Sequence, residues 1–519
     1  MLAQIIEQMS KDAAELRAEL AALRKEAAVR DAALRAKLSL LIADRVLSPS
    51  APSYATVGTE ALAALTASGR IAVADLSPAS APDAERAPFA TAADLTKLSE
   101  CKSERELVLA ITPLLLAARG FDVAAGATTD PCARVLVNSE RTPWLDALHA
   151  PLPSDQLKRP DLFATWAPFW SGRVRPTGGL VGRLAHRELQ LDGCVREFYE
   201  AKLGSGDLTS ADFGQLVDYH SRVDGSVRGV LFNARVFWLY ESVRNLPVAL
   251  TKAEWGAHGS RALLRAFFDR GLEPPLVPLL RHLCSTLQLA PVCVAASAAS
   301  PAAGDDGTTR RSGAFLGAGG SARVFSVTSN DSTAALRALK VSTKLSRADL
   351  EYEFATLQRA AAAGAPVIPV VADSLVCSVD DNGAHCGGGF LMSEVCAGAL
   401  LDSGTRCAAA FTSLHKLHAA GFVHGDARLP NLLMRGGRGA DLSFVWIDLR
   451  DAAAGALAVA QRADARTFAA SVLRVEQRGG GTLPAPVDLA IGRVPTDGEA
   501  AYSALGAAVW AARAAGAMA

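Results

Sequence analysis

The chain lacks any C-x-x-C pair. Its nine cysteines (Cys101, Cys132, Cys194, Cys284, Cys293, Cys377, Cys386, Cys396 and Cys407) are scattered, which excludes a zinc framework or a disulfide scaffold by spacing and favours a reducing compartment. It also lacks net charge. Lys+Arg and Asp+Glu stand at 53 each, so no overall field draws the protein to nucleic acid or to an anionic membrane, and any such binding must be local. No uncharged apolar run reaches about 18 residues. The first residues carry Glu7 and Asp12 rather than a basic start before an apolar stretch. Neither a membrane span nor a secretory signal is expected, and an intracellular location, cytoplasm or nucleus, follows.

What is present is length and apolar content. A chain of 519 residues with 50% hydrophobic composition can bury several cores, and about three modules are expected. From Leu2 through Ile6, Met9, Ala13, Leu16, Leu20, Leu23 and Ala27 the apolar positions alternate spacings of four and three. That seam predicts a coiled coil over 1–47 and self-association into a homo-oligomer. Arg30 and Lys37 fall on the seam and weaken it, leaving a helical hairpin or a docked helix as the alternative. Residues 48–97 and 295–311 turn rich in Ala, Ser, Pro and Thr and read as linkers. They set off a middle domain over 98–294 and a carboxy-terminal domain over 312–519. The expected class is multidomain α+β.

The carboxy-terminal domain opens on Phe315-Leu316-Gly317-Ala318-Gly319-Gly320-Ser321-Ala322-Arg323-Val324-Phe325, two strand pieces around a Gly-rich turn. Without Cβ atoms, Gly317, Gly319 and Gly320 let backbone amides approach phosphates. Ala338-Leu339-Lys340-Val341 alternates as a strand and presents one cation. Ser346-Arg347-Ala348-Asp349 opens a helix on which Glu353 can point at Lys340, with Glu351 as the other choice. Phe390 to Val395 is an apolar strand ending near Glu394, suited to a connector whose backbone pairs with adenine. Then comes His424-Gly425-Asp426-Ala427-Arg428-Leu429-Pro430-Asn431, followed by the strand Phe444-Val445-Trp446-Ile447-Asp448. Phosphoryl transfer needs positioning and charge neutralisation, and this order supplies a lysine, a carboxylate acceptor and hard oxygen ligands.

These residues resemble the protein-kinase-like superfamily. The resemblance implies a two-lobed fold using ATP and Mg²⁺. Asp426 would be the base orienting the acceptor hydroxyl, with Arg428 a cation near the transferred phosphate. Asn431 and Asp448 would hold the metal, Lys340 would grip the phosphates, and Glu353 would position Lys340. Gly317, Gly319, Gly320, Val324 and Glu394 would line the nucleotide. Gly425 replaces an arginine that serves loop phosphorylation in many protein kinases, and Leu449-Arg450 replaces a Phe-Gly step. A compact large lobe is expected, with a protein serine or threonine, or a small molecule, as acceptor.

The middle domain reads α-β-β-β-α-β: a helix from Ser103, strands at 121–125, 159–164 and 195–203, a helix over 210–222 and a strand over 227–233. Period two puts Glu200 and Lys202 on one face of the third strand. With Asp161 they can bind Mg²⁺ and neutralise a phosphorane, while Gln215 and Tyr219 contact substrate. Pro160-Asp161, Glu200-Ala201-Lys202 and Gln215-x-x-x-Tyr219 resemble the PD-(D/E)XK nuclease superfamily, provided an inserted hairpin fills the long interval between Asp161 and Glu200. That resemblance implies Asp161 and Glu200 as metal ligands, Glu200 and Lys202 as catalytic, and DNA as a possible partner, with Arg159, Lys202 and Arg222 as a local phosphate path. The pairing of the two domains resembles Crinkler-type proteins. Three functions are therefore in play: a kinase-like phosphotransferase, a Mg²⁺-dependent endonuclease regulated by a nucleotide-binding kinase-like domain, and an inert coiled-coil scaffold.

Overall fold

The computed structural model describes residues 53–73, 88–119, 130, 132–139, 142–149, 151–174, 180–269, 273–292, 309–329, 335–379, 383–435, 443–449, 457–475, 482–494 and 498–516. The heptad segment and the strand expected at 121–125 lie outside them. Among the described residues no helix is long and apolar enough to cross a membrane, and the cysteines are free.

The middle part begins with α1 (Tyr54–Ala67), β1 (Ile71–Val73), α2 (Ala92–Ser99) and α3 (Glu104–Arg119). There follow β2 (Arg134–Asn138), β3 (Leu162–Trp166), β4 (Trp170–Val174), β5 (Leu180–Leu184), α4 (Arg187–Leu191), β6 (Glu197–Ala201) and α5 (Ser210–His220). The run ends with β7 (Ser226–Phe232), β8 (Val236–Val243), β9 (Leu246–Glu254) and α6 (Ser260–Asp269). At its centre β2, β3 and β6 pair antiparallel in turn, and β6 runs parallel to β7 after the α5 crossover. The described strands at Leu162–Trp166, Glu197–Ala201 and Ser226–Phe232 and the helix Ser210–His220 fall where they were expected, and Arg134–Asn138 is a further central strand. The β4–β5 hairpin and α4 occupy the interval between Asp161 and Glu200. Apolar side chains fill both faces: Phe198 and Phe213 lie in one buried cluster, Tyr199 and Val230 in the other.

The stretch 48–97 is not simply a linker. Ser53 caps α1, which crosses α5 so closely that a Cβ on Gly58 would fall 1.7 Å from the Ser210 carbonyl and one on Gly214 would fall 1.8 Å from that of Tyr54. Alanine-rich composition suits a helix as well as a linker, because alanine has the highest helix propensity.

The next elements are α7 (Leu276–Thr286), β10 (Leu289–Pro291), β11 (Thr309–Ser312), β12 (Phe315–Ala318), β13 (Arg323–Ser329) and β14 (Arg337–Ser342). After α8 (Arg347–Ala362) come β15 (Val376–Val379) and β16 (His385–Met392). They form a second sheet in the order β10-β13-β14-β16-β15, with β12 also on β13. The boundary expected at 294/295 thus falls inside this unit. Both β10 and α7 belong to it, and the glycines of β16 explain how: a Cβ on Gly387 would lie 2.7 Å from Leu279 and one on Gly389 3.0 Å from Leu283. Only a bare backbone lets α7 lie on that strand. The expected 295–311 linker also ends in structure, since β11 pairs antiparallel with β4 and extends the middle sheet to ten strands.

The remaining elements are β17 (Ala397–Gly398), α9 (Gly404–Ala419), β18 (Leu432–Arg435), β19 (Ser443–Trp446), α10 (Leu457–Leu473), α11 (Ala485–Gly492) and α12 (Gly498–Gly516). The helices pack around Phe411, Leu414, Phe468 and Tyr502, all fully buried. Burial of each such side chain contributes about 1.5–3 kcal/mol. A small, mostly antiparallel lobe and a large helical lobe result.

Candidate active site between the two lobes

Lys340 lies in the middle of β14, directly across from Val324 on β13 and from Phe390 on β16. That register aims its ammonium into the cleft. Its Nζ donates both to Glu353 of α8 and to Asp448 at the end of the β19 segment, so the small lobe and the large lobe meet at one cation. Burial alone would lower the Lys340 pKa, but the Asp448 and Glu353 carboxylates outweigh it and the net shift is upward. Burial pushes the Glu353 carboxyl up, while Lys340 opposes that rise. Glu351, the other choice, pairs instead with Arg347 at 2.7 Å on the exposed side of α8.

The Gly-rich turn closes above this pair through a Gly319 N–H to Ala322 carbonyl bond of 2.9 Å. A Cβ on Gly317 or Gly320 would meet nothing within 4 Å, and one on Gly319 would lie 3.8 Å from Asp448 Oδ2. The space beside the turn is the cradle a phosphate chain needs. The Glu394 carboxylate, on the connector between the lobes, pairs with Arg435 at 2.5 Å.

His424 is buried against Trp446 with ring centroids 5.0 Å apart. Gly425 has φ +77°, in the left-handed region, so an arginine here would strain the backbone. Asp426 carries Arg428 across it, Nε to Oδ1 at 2.6 Å and Nη2 to Oδ2 at 2.7 Å. Asn431 Nδ2 donates to the Asp426 carbonyl at 2.9 Å and to Oδ2 at 3.3 Å. The Asn431 carbonyl accepts from the Ile447 N–H at 3.0 Å, tying the loop to the residue before Asp448, whose own φ is +60°. A magnesium ion fits this donor set, because Asp448 and Asn431 supply hard oxygens beside the phosphate cradle and nucleotide phosphates supply others.

One residue that motif spacing did not reveal holds the loop. Asp464 of α10 accepts the His424 N–H at 2.6 Å and the Gly425 N–H at 3.0 Å, and His418 Nε2 lies 3.1 Å from the same carboxylate. Its partners on the loop are backbone amides, so no side-chain pattern in the loop announces it. Ser471 of the same helix accepts from the Leu429 N–H at 3.0 Å.

The middle part carries a second cluster. Lys202 Nζ donates to Glu200 Oε1 at 2.8 Å and to Gln215 Oε1 at 3.0 Å, and Glu104 Oε1 stands 3.7 Å away. The Gln215 amide donates to the Tyr219 hydroxyl at 2.7 Å, which lies 3.1 Å from Glu200 Oε2. Asp161 accepts from the Ala201 N–H at 2.8 Å. Burial, and then Asp161, push the Glu200 carboxyl up to about 8. Asp161, Glu200, Lys202, Gln215 and Tyr219 are thus brought together as expected. Among the described residues no three His, Cys, Asp or Glu side chains converge as a metal cage, so an ion here would rest on two carboxylates and water.

No protein-family model matches the chain, and no curated protein matches it significantly. Among solved structures it is similar to the PknI kinase domain of Mycobacterium tuberculosis, at 19% identity over 38% of this chain and 93% of that one, TM-score 0.25. It is also similar to WaaP in complex with acyl carrier protein, at 16% identity over 39% of this chain and 87% of that one, TM-score 0.25.

Proposed function

We propose that the carboxy-terminal unit is an ATP- and Mg²⁺-dependent phosphotransferase acting on a hydroxyl, a protein serine or threonine before a small molecule. The observation that carries this reading is Lys340 held between Glu353 and Asp448, with Asp426 and Asn431 on the adjoining loop. Lys340 would grip the α- and β-phosphates, and Glu353 keeps it aimed. Bound between Asp448, Asn431 and the phosphates, magnesium would neutralise charge on the transferring group. Asp426 orients the acceptor hydroxyl and takes its proton as the new P–O bond forms and ADP leaves. Arg428 turns from Asp426 toward the transferring phosphoryl. Incubation with radiolabelled ATP and Mg²⁺, beside Asp426→Ala, tests the reading: label on a protein acceptor with wild type alone supports it, and no transfer by either defeats it.

A second reading, that the middle part cuts DNA with Mg²⁺, is favoured by the Asp161, Glu200, Lys202, Gln215 and Tyr219 cluster on an α-β-β-β-α-β frame. Burial raises both carboxyls, and the Asp161 charge raises Glu200 further, which poises the pair for a dication. Plasmid nicking by wild type but not by Glu200→Ala or Lys202→Ala supports it. Both activities in one chain would fit the Crinkler-type resemblance.

A further inference from the structure

The Gly-rich turn of the carboxy-terminal unit is held from outside that unit. Arg323 follows the turn immediately, at the first position of β13, and its side chain is only 3% exposed. All five of its N–H donors are engaged. Nε donates to Asp192 Oδ2 at 2.6 Å and Nη2 to Asp192 Oδ1 at 3.0 Å, a two-pronged pair, and Nη2 also reaches Glu188 Oε2 at 3.4 Å. Nη1 donates to the Gly319 carbonyl at 2.6 Å and the Ala322 carbonyl at 2.8 Å. Asp192 and Glu188 belong to α4 and its carboxy-terminal cap, in the middle part. The guanidinium therefore joins one helix of the middle part to two carbonyls of the phosphate turn.

Peptide geometry gives this a direction. In a trans peptide the carbonyl of one residue and the N–H of the next point opposite ways. Fixing the Gly319 carbonyl on Arg323 turns the Gly320 N–H away from the middle part, at a position where a Cβ would meet no protein atom. Two further contacts keep α4 and the turn in register. β11 is stitched to β4 and leads into β12, with the Gly313 N–H donating to the Trp170 carbonyl at 2.7 Å. Phe325 packs on Phe169 at 5.8 Å between ring centroids. A Gly-rich turn with no such brace samples many backbone states and must be ordered by its ligand.

We infer that Asp192 is a positioning residue for nucleotide binding, acting through Arg323, so that the middle part sets how tightly the carboxy-terminal unit holds nucleotide phosphates. This rests on the proposed nucleotide site. Asp192→Asn keeps the shape and removes the charge that aligns Arg323. Arg323→Lys keeps the charge but cannot reach Asp192 and both carbonyls together. Asp192→Glu restores the carboxylate.

The test is titration of the full chain with a fluorescent ATP analogue and Mg²⁺, with steady-state transfer measured alongside. Asp192→Asn and Arg323→Lys are each expected to raise the nucleotide Kd and KM about tenfold with kcat within about threefold, and Asp192→Glu to stay near wild type. Thermal melts of each variant identify any that fails to fold. If Asp192→Asn does not fold, the contrast between Asp192→Glu and Arg323→Lys decides. Unchanged nucleotide affinity in the folded variants, even with a lower melting temperature, overturns the inference and leaves the nucleotide site standing. No binding by wild type overturns both.

Discussion

Arg428 lies across Asp426 as a two-pronged clamp, with N–O distances of 2.6 and 2.7 Å, although its side chain is 54% exposed. A buried clamp of this kind would be a fixed part of the loop. An exposed one can be exchanged, since the same fork that fits a carboxylate also fits a phosphoryl group. Arg428→Ala is therefore expected to lower kcat by roughly tenfold to a hundredfold with nucleotide affinity nearly unchanged, and Arg428→Lys to recover part of the loss. A faster Arg428→Ala enzyme in the same transfer assay would make the clamp an inhibitor rather than a participant.

Lys340 sits between two carboxylates, and removing it takes one shared cation from a buried cluster. Breaking one partner of a buried ion pair costs about 3–5 kcal/mol, in part recovered here by protonating Glu353, which burial already favours. Lys340→Met should abolish transfer and lower stability in urea unfolding. The companion Lys340→Met/Glu353→Gln chain should regain stability but no activity.

Asp464 anchors the His424–Asn431 loop through two backbone amides, so its loss acts on loop geometry rather than on the proposed nucleotide contacts. Asp464→Asn keeps one acceptor oxygen and turns the other into a donor facing an N–H. It should reduce kcat by about a hundredfold while the nucleotide Kd moves little. Equal losses in kcat and nucleotide affinity would place Asp464 in general stability instead.

The legible part of this protein is the part whose chemistry is local in sequence. Lys340, Glu353, Asp426, Asn431 and Asp448 could be named because each stands at a fixed place on a strand, helix or loop with its own pattern. Arg323 could not: its carboxylate partner Asp192 is 131 positions away, and beside a Gly-rich turn it looks like any strand arginine. Arg134–Asn138 could not be singled out, because it is a short run opening on an arginine, and only its pairing with β3 marks it as a central strand. Nor does an apolar helix declare which sheet it covers, and α7 reaches β16 across the boundary expected at 294/295.

That boundary is open to a direct check. Leu280 and Leu283 of α7 are fully buried, and each contributes about 1.5–3 kcal/mol when covered. A polypeptide of residues 312–519 lacks α7 and β10 and exposes the strand they cover. It should unfold at lower urea than residues 273–519, by at least about 3 kcal/mol, and aggregate more readily. Equal midpoints would return α7 to the middle part.

His220 gives the middle part an acid limit. It is buried at the end of α5, stacked on Tyr240 at 4.5 Å, with Nδ1 2.7 Å from Ser242 Oγ. Burial lowers its pKa from 6.5 to about 3. Between those values the unfolded chain binds a proton that the folded chain refuses. Stability from this residue is thus complete above pH 6.5 and falls as pH drops toward 3, at about 1.4 kcal/mol per pH unit at most. His220→Gln keeps a hydrogen-bonding side chain and cannot titrate. It should be less stable than wild type at pH 7.5, where the packing loss stands alone, and the gap should narrow or reverse by pH 5. Urea midpoints at the two pH values provide the measurement, and a constant gap would mean that His220 is not the residue that charges on unfolding.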